Sequence, residues 1–277
     1  MVDRKILFGV LMKFALGSDL HLYYEGYDKL PVNADANVLV LAGDIMEVEL
    51  LKISGNRRDR LVSYLEQLNN NFEHILYVMG NHEHYGNVFK HTVPNMRDRL
   101  SKFGLNNFKV LENQIYEIED VSFYCATMWT TMKNRDPLVI NACKSYMNDY
   151  NQIFKFHDSD GYYTEMLKPN DTAHECEITK LKLKEHWNTD KKKVLVTHHA
   201  PCSLSCDPRY TKTEVSYAYY EELGDILFDT NIQVAVHGHM HHKQEYLVGN
   251  TRVYSNPRGY FSYESSADEF DFKVIEV

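Results

Sequence analysis

Side chains able to bind a metal ion stand at the ends of five short apolar runs in this chain of 277 residues. In chain order they are Asp19 with His21, Asp44, Asn81 with His82 and Glu83, His198 with His199, and His239 with His241. The set offers oxygen and imidazole ligands without thiolate, a combination that suits Mn, Fe or Zn. We therefore expect a site for two divalent cations, with the carboxylate of Asp44 as the natural bridge between them.

The spacing within these motifs agrees with metal binding. Residues two apart in an extended chain point to the same side, so Asp19 and His21 can face one ion, as can His239 and His241. A glycine precedes Asp44, and glycine has no Cβ to hold the backbone away from a ligand. Each motif alone is common at strand ends, but all five in this order argue against a purely structural explanation.

The apolar runs predict the elements that bring these residues together. Runs of Val, Leu and Ile closed by Gly or a turn are typical of strands buried on both faces. These runs cover residues 13–19, 37–44, 74–81, 193–199 and 233–239. Helical patterns lie at residues 57–72, 172–187 and 216–228. The alternation predicts an α/β fold, in which the carboxyl ends of parallel strands share one edge and ligands bind there.

A different pattern predicts a second sheet. Residues 108–129 alternate apolar and polar side chains, as expected of an antiparallel hairpin. Residues 243–257 do the same around a turn at Gly249–Asn250. Residues 130–190 are rich in Tyr, Asn and Lys and weakly patterned. We expect them to form an insertion over one edge of a single domain that spans residues 1–277.

Composition limits the class of partner. The formal net charge is −9 and the one basic run is Lys191–Lys193, so a long nucleic acid is not the expected partner. The five cysteines form no regular framework, which favours reduced thiols in a cytoplasmic protein. The apolar run Ile6–Leu11 is too short for a signal-peptide core or a membrane span. We therefore expect no membrane association.

The order D-x-H, G-D, G-N-H-E, H, G-H-x-H resembles the calcineurin-like metallophosphoesterase superfamily, and VTHHAP and VHGHMHHKQEYLVGN resemble its compact bacterial and phage members. The resemblance implies a four-layer α/β/β/α sandwich of two mixed β-sheets, with a dinuclear metal site at the carboxyl ends of the strands. One ion is then held by Asp19, His21, Asp44 and His241. The other is held by Asp44, Asn81, His198 and His239. His82 lies at the phosphate without binding metal, and His198 is preferred to His199 because it directly follows its strand.

The same resemblance implies a hydrolase of small phosphodiesters or phosphomonoesters, including nucleotides. A hydroxide that bridges the two ions attacks phosphorus, and His82 assists the leaving group. Mn²⁺ is the ion expected first, with Fe, Zn, Ni and Co as alternatives. A nuclease acting on DNA or RNA is a second hypothesis, which the acidic balance disfavours. A non-catalytic scaffold is a third, disfavoured because the motif set is complete.

Other polar residues near the motifs have two interpretations each. Glu83 either orients His82 or is an ordinary surface acid. Three histidines are assigned supporting or ordinary polar roles in preference to metal binding: His199, His237 and His242. Two more are expected at the surface: His84 and His91.

Substrate contacts beyond the metal site stay open at this stage. Arg258 either reaches a phosphate or holds the terminal turn. The chain either begins natively at Met12 or carries residues 1–11 as an added edge segment. Four tyrosines of the expected insertion either stack a nucleobase or pack the core and its rim: Tyr146, Tyr150, Tyr162 and Tyr163. The sequence leaves the oligomeric state and the identity of the substrate open.

Overall fold

The structure is a computed structural model that describes residues 11–24, 26, 29–158, 164–211, 213–229 and 231–277. Most of the segment before Met12 lies outside the described residues, as do Tyr162 and Tyr163. The described strands form two large sheets and a two-stranded one.

The elements alternate between strands and helices for much of the chain. The strands are β1 (Lys13–Gly17), β2 (Val38–Ala42), β3 (His74–Val78), β4 (Phe108–Leu111), β5 (Gln114–Ile118), β6 (Val121–Ala126), β7 (Phe154–His157), β8 (Thr164–Met166), β9 (Lys192–Thr197), β10 (Val234–His237), β11 (Gln244–Val248), β12 (Thr251–Ser255) and β13 (Lys273–Glu276). The helices are α1 (Asn56–Asn71), α2 (Phe89–Lys102), α3 (Met132–Arg135), α4 (Pro137–Tyr146), α5 (Asp149–Gln152), α6 (Pro169–His186) and α7 (Gly224–Asp229). Short 3-10 helices lie at Val48–Leu51, His82–His84, Ser203–Ser205, Glu214–Ala218 and Ser265–Glu269.

The first large sheet has the strand order β13-β1-β2-β3-β4. Strands β1 to β4 run parallel, and β13 pairs antiparallel with β1. All residues of β2 are buried, as expected for a central parallel strand that is covered on both faces. The carboxyl ends of β1, β2 and β3 lie side by side, so the residues that follow them share one edge.

The second large sheet has the order β11-β12-β10-β9-β6-β5. Its four inner strands run parallel, and the outer strands β11 and β5 are antiparallel to their neighbours. His198 directly follows β9, and His239 comes two residues after β10. Both sheets are therefore mixed, and both deliver polar residues at the carboxyl ends of parallel strands.

Alternation of side chains along the strands divides the core into three apolar layers. The layer between the sheets includes Phe14, Leu16, Val40, Phe123, Val196 and Val236. On the outer face of the first sheet, strand residues pack against α1 and α2; examples are Leu39, Tyr77, Leu61, Leu65 and Met96. On the outer face of the second sheet, they pack against α6 and α7; examples are Leu195, Ala235, Leu183 and Ile226. The predicted four-layer α/β/β/α sandwich is confirmed.

Two helices agree with the sequence patterns and two segments do not. Helix α1 matches the pattern at residues 57–72, and α6 covers most of residues 172–187. The pattern at residues 216–228 is not one helix, because Tyr220 forms a bridge with Ala200 between a 3-10 helix and α7. Helix α2 was not predicted because it contains Pro94, which ordinarily interrupts a helix.

The prediction of one hairpin over residues 108–129 is wrong in its first part. Strand β4 pairs parallel with β3 in the first sheet, and only β5 and β6 form the antiparallel hairpin, in the second sheet. The chain changes sheets around Asn113, whose φ is 53°. Asparagine tolerates this left-handed backbone conformation better than most residues, so a sharp turn separates the two strands.

Residues 130–190 contain helices α3 to α6 and the hairpin β7–β8. Tyr150 is buried and bonds to Thr172, with 3.0 Å between the hydroxyl oxygens, whereas Tyr146 is exposed. The interpretation of this stretch as an insertion in a single domain stays a prediction. None of the helices in the described ranges combines the length and apolar composition needed to span a bilayer.

The contact between the sheets makes a prediction about stability. Phe14 and Phe123 are fully buried and meet edge to face, with ring centroids 5.7 Å apart. We expect Phe123→Ala to lower the free energy of unfolding by about 3–5 kcal/mol, because it opens a cavity between the sheets. Urea denaturation followed by circular dichroism measures the loss. Leu138→Ala on the exposed face of α4 is the control, and equal losses in both variants would contradict this packing.

Candidate metal centre

The structure gathers the seven predicted metal ligands and His82 at the shared carboxyl edge of the two sheets. Asp19, His21 and His198 are fully buried, and Asp44, Asn81 and His239 nearly so. Three groups have ligand atoms that all lie within 4.8 Å of one another. The groups are Asp19, His21 and His241; His21, Asp44 and His82; and Asp44, His198 and His239. Asp44 and His21 each belong to two groups, so the clusters form one continuous centre.

In the first half of the centre, two imidazole nitrogens face each other beside a carboxylate. The Nδ1 of His241 lies 2.7 Å from a carboxylate oxygen of Glu264, which can only accept, so Nδ1 carries the proton. The Nε2 of His241 then presents a lone pair 2.9 Å from the Nε2 of His21 and 3.5 Å from the Oδ1 of Asp19. With the proton of His21 on Nδ1, these three atoms form a set of acceptors that a cation would hold together.

The second half repeats this geometry around His198. Its Nδ1 donates to the carbonyl oxygen of Ala42 at 2.9 Å, so Nε2 carries the lone pair. That Nε2 lies 3.1 Å from the Oδ1 of Asn81, 3.1 Å from the Nδ1 of His239 and 3.5 Å from the Oδ1 of Asp44. Oxygen and nitrogen acceptors that converge in this way fit a divalent cation.

The amide of Asn81 is held with its oxygen toward this cluster. Its Nδ2 donates to Asp149 at 2.8 Å, and the hydroxyl of Tyr85 donates to the same carboxylate oxygen at 2.8 Å. Asp149 is fully buried among these donors. Sequence reasoning missed Asp149 and Tyr85, because neither belongs to a motif at a strand end.

The structure separates the two adjacent histidines that the sequence left as alternatives. His198 contributes its Nε2 to the cluster with Asp44. His199 instead has its Nδ1 3.2 Å from the carbonyl oxygen of Thr127, and its ring centroid lies 4.4 Å from that of His239. The geometry thus favours His198 as the ligand and gives His199 a packing role against His239.

Glycines leave the space that the cluster occupies. A Cβ on Gly80 would lie 2.1 Å from the Oδ1 of Asp44, and one on Gly43 would lie 2.3 Å from the Nδ1 of His198. A Cβ on Gly238 would lie 2.7 Å from the Oδ2 of Asp19. These distances are far below van der Waals contact, so each position admits only glycine without displacing a predicted ligand.

The backbone is strained at most of the predicted ligands. Five of them have left-handed φ values: Asp19 (50°), His21 (45°), Asp44 (56°), His239 (68°) and His241 (47°). Such values cost free energy in residues other than glycine and concentrate at functional sites. These conformations turn the side chains toward the two clusters instead of letting them alternate along regular strands. His239 and His241 lie in different clusters, so the expectation from their spacing that both face one ion is wrong.

Burial leaves the centre in need of positive charge. Burial raises the pKa of Asp19 to about 6 and raises the pKa of Asp44 well above its usual range. Burial also lowers the pKa of His198 and of His239 well below the usual range, so both imidazoles are neutral, as metal ligands must be. Divalent cations would reverse the cost of ionising the two carboxylates.

Glu83 does not have the role that the sequence suggested. It is fully buried, so it is not a surface acid, and its carboxylate bonds to backbone groups around Asp44 and to Tyr77 instead of to His82. Its carboxylate accepts from the backbone N–H groups of Asp44, Ile45 and Gly80 at 3.1, 2.7 and 2.6 Å. The hydroxyl of Tyr77 donates to it at 2.7 Å. Glu83 therefore ties the loop after β2 to the loop after β3.

Four other histidines considered in the sequence analysis lie outside the clusters of the described residues. His84 was expected at the surface but is buried, with its ring centroid 4.7 Å from that of Phe89. His91 and His242 are exposed. His237 is buried, and its Nε2 lies 2.9 Å from the hydroxyl of Ser205. The expectation for His84 failed because a single histidine in a polar stretch carries no periodic signal of burial.

Arg258 fixes backbone structure. It is almost fully buried, and its guanidinium donates to the carbonyl oxygens of Leu20, Gly26 and Ala267 at 3.0, 3.3 and 3.4 Å. It therefore braces the segments that flank the metal centre and supports the terminal-turn interpretation.

The glycine geometry predicts that one methyl group weakens metal binding. We expect Gly80→Ala to lower the affinity for Mn²⁺ roughly 10–100-fold, since the added Cβ displaces Asp44. Isothermal titration calorimetry measures the affinity, and the unfolding midpoint shows whether the fold survives. Gly224→Ala is the matched control, because a Cβ there meets no atom within 4 Å. Equal affinities for Mn²⁺ in Gly80→Ala and Gly224→Ala would contradict the assignment of Asp44 as a metal ligand.

Comparisons with known proteins agree with this architecture. The family model of the calcineurin-like phosphoesterases matches residues 12–243. Uncharacterized protein L509 of Acanthamoeba polyphaga mimivirus is 26% identical over 272 residues, which cover 94% of this chain and 95% of that protein. Phosphopantetheinyl hydrolase from Mycobacterium tuberculosis superposes with a TM-score of 0.67 at 16% identity, over 97% of this chain and 96% of that one. GAP50, the anchor in the inner membrane complex of Plasmodium, superposes with a TM-score of 0.51 at 14% identity, over 97% and 81%.

At these identities the solved structures establish the fold alone, whereas the family model covers most of the chain. The family implies a dinuclear site for divalent metal ions, and the side chains described above are positioned to bind metal. The chain therefore belongs to the calcineurin-like phosphoesterase family and is a metal-dependent phosphoric ester hydrolase.

Proposed function

We propose that the protein hydrolyses a small phosphate ester with two divalent ions, Mn²⁺ in the first instance, and with His82 assisting the departure of the leaving group. The observation that carries the proposal is the convergence of two sets of inward-facing lone pairs on Asp44, with His82 beside it. A centre of this kind suits in-line displacement at phosphorus.

The residues divide between the ions as the resemblance implies. We assign Asp19, His21, Asp44 and His241 to one ion and Asp44, Asn81, His198 and His239 to the other. Bound ions would activate a water molecule and neutralise phosphate oxygens. The protein's own contribution is to hold the ligands rigidly and, through burial, to lower the pKa values of His21, His198 and His239 so that these imidazoles stay neutral.

His82 has the position required of a donor to the substrate. Its backbone N–H donates to the Oδ1 of Asp44 at 2.9 Å, and its Nε2 lies 3.7 Å from the Oδ2 of the same residue. The side chain is 14% exposed, so a substrate can reach it. Burial lowers the pKa of His82 to about 3, and the neutral imidazole donates a hydrogen bond from one ring nitrogen.

The cavity next to His82 supports a small substrate. It has a volume of about 350 Å³ and is lined by Tyr24, Tyr85, Glu47 and Glu49 among others. Among the described residues that line it, none is Lys or Arg, although Lys52 lies beside Glu49 and Arg57 donates to the carbonyl oxygen of Tyr23. Together with the net charge of −9, this lining disfavours a long polyanion, whose binding depends on clustered basic residues.

The cysteines bear on the cellular location of the protein. All five cysteines are buried and unpaired, which supports the proposal of a reducing, cytoplasmic environment.

GAP50 shows that an anchor can have this fold. Here, however, both predicted ligand sets are complete, so we propose an enzyme in preference to a scaffold.

The metal assignment predicts two ions per chain. Protein prepared with Mn²⁺ is expected to contain two Mn per chain by elemental analysis. Asp44→Asn should reduce that content, because a single amide oxygen is a poor bridge for two cations. Wild-type protein without bound metal under these conditions would overturn the proposal. Full occupancy in Asp44→Asn would remove only the bridging role.

The proposed substrate class predicts which compounds the protein hydrolyses and which it leaves intact. With Mn²⁺, the protein should turn over chromogenic phosphodiesters, chromogenic phosphomonoesters or cyclic nucleotides, and should leave long duplex DNA intact. Parallel assays measure the rate of hydrolysis of each of these substrates. Cleavage of duplex DNA without activity on any small ester would favour the nuclease hypothesis instead.

The role of His82 separates catalysis from metal binding. His82→Ala should keep its metal content and lose roughly 10²–10⁴ in turnover, since it removes a donor to the leaving group. The loss should be smaller with nitrophenyl esters, whose leaving group needs less assistance. His239→Ala should instead lose metal affinity first and recover part of its activity with excess Mn²⁺. If both variants lose metal equally, His82 is a ligand and its assignment is wrong.

A further inference from the structure

A tyrosine hydroxyl joins a predicted metal ligand to His82. The oxygen of Tyr23 lies 2.9 Å from the Nδ1 of His21 and 2.9 Å from the Nδ1 of His82. Tyr23 stands two residues after His21 and 59 residues before His82. Its ring is nearly parallel to that of His82, with 5.8 Å between the centroids and 8° between the planes.

Counting protons restricts what this bridge can be. A hydroxyl has one proton to donate, and a neutral imidazole has one N–H and one acceptor nitrogen. In the described part of the chain, these two Nδ1 atoms are the recorded partners of the Tyr23 hydroxyl. If the hydroxyl donates to one Nδ1, the other Nδ1 must carry a proton and donate to the oxygen. The two histidines therefore have opposite tautomers.

Metal binding by His21 would decide which histidine has which tautomer. Without an ion, the Nε2 of His21 could donate to the lone pair on the Nε2 of His241, 2.9 Å away, whereas with an ion in the group that includes Asp19 both nitrogens face the ion as acceptors. As a ligand through Nε2, His21 must carry its proton on Nδ1 and donate it to Tyr23. The hydroxyl of Tyr23 then donates to the Nδ1 of His82, which leaves the proton of His82 on Nε2.

We propose that Tyr23 is a positioning residue that sets opposite tautomers in His21 and His82, so that His21 binds metal and His82 presents an N–H at Nε2. The inference rests on the proposed function for its catalytic consequence. The opposite tautomers also explain how His82 can lie in one group with His21 and Asp44 without being a metal ligand. A protonated Nε2 has no lone pair for a metal ion.

The packing around His82 supports a fixed donor. The ring of Tyr85 lies on it with centroids 4.4 Å apart at 31°, while Tyr23 holds its Nδ1. The ring is thus contacted by two aromatic side chains, and its Nε2 stays 3.7 Å from the Oδ2 of Asp44. Rigid support of this kind determines how well a donor is aligned with a developing charge.

Nitrogen NMR tests the tautomers without relying on turnover. Two-bond ¹H–¹⁵N spectra of the protein loaded with Zn²⁺, which is diamagnetic, distinguish protonated from unprotonated ring nitrogens, and His82→Ala identifies the signals of His82. We expect His82 to be protonated at Nε2 and His21 at Nδ1. In Tyr23→Phe, His82 should shift toward a mixture of tautomers. A wild-type His82 protonated at Nδ1 would overturn the proposal.

Kinetics at saturating Mn²⁺ test the consequence. Tyr23→Phe should lower kcat roughly 10–100-fold on esters with poor leaving groups and much less on nitrophenyl esters, with KM nearly unchanged. Tyr263→Phe, at an exposed tyrosine, is the control and should keep wild-type kcat. An unchanged kcat in Tyr23→Phe would overturn the catalytic consequence. If wild-type protein hydrolyses no ester, the proposed function fails, but the NMR spectra still decide the tautomers.

Discussion

The structure depends on the burial of ionisable side chains at positions where water cannot solvate their charges. Asp19 and Asp44 are packed together with three buried imidazoles behind the ends of the strands, those of His21, His198 and His239. Taking a carboxylate out of water costs several kcal/mol unless charge or hydrogen bonds compensate. Divalent cations would compensate the charge, and the surrounding protein holds the far sides of His198, His241 and Asn81 through hydrogen bonds. The lone pairs that remain are directed inward, which is why the cluster is a binding site and not a polar core.

Glu83 shows how the fold meets this requirement without using a ligand. Its buried carboxylate accepts hydrogen bonds from backbone N–H groups of two loops. These N–H groups lie outside the strands, so Glu83 supplies the acceptor that a neighbouring strand would otherwise provide. The same bonds hold the backbone of Asp44 in a left-handed conformation and bring Gly80 close beneath it. The position of the predicted bridging carboxylate therefore depends on a buried residue outside the predicted ligand set.

The centre also couples the two sheets. Asp44 and Asn81 follow strands of the first sheet, and His198 and His239 follow strands of the second. Their mutual distances therefore depend on how the sheets pack across the apolar layer that contains Phe14 and Phe123. Because close-packed interiors transmit small displacements, the core between the sheets supports the geometry of the site as well as stability.

The sequence by itself determined the five strands that precede the ligand motifs, the order of those motifs and the family, because buried parallel strands leave continuous apolar runs as a local signal. The tertiary structure alone decided which residues serve those ligands. Tyr23, Asp149 and Glu264 hold His82, Asn81 and His241 from positions 59, 68 and 23 residues away. It also decided that Phe108–Leu111 joins the first sheet. Hydrogen-bond partners and strand neighbours are chosen by proximity in space, and a local pattern of residue types contains no information about that proximity.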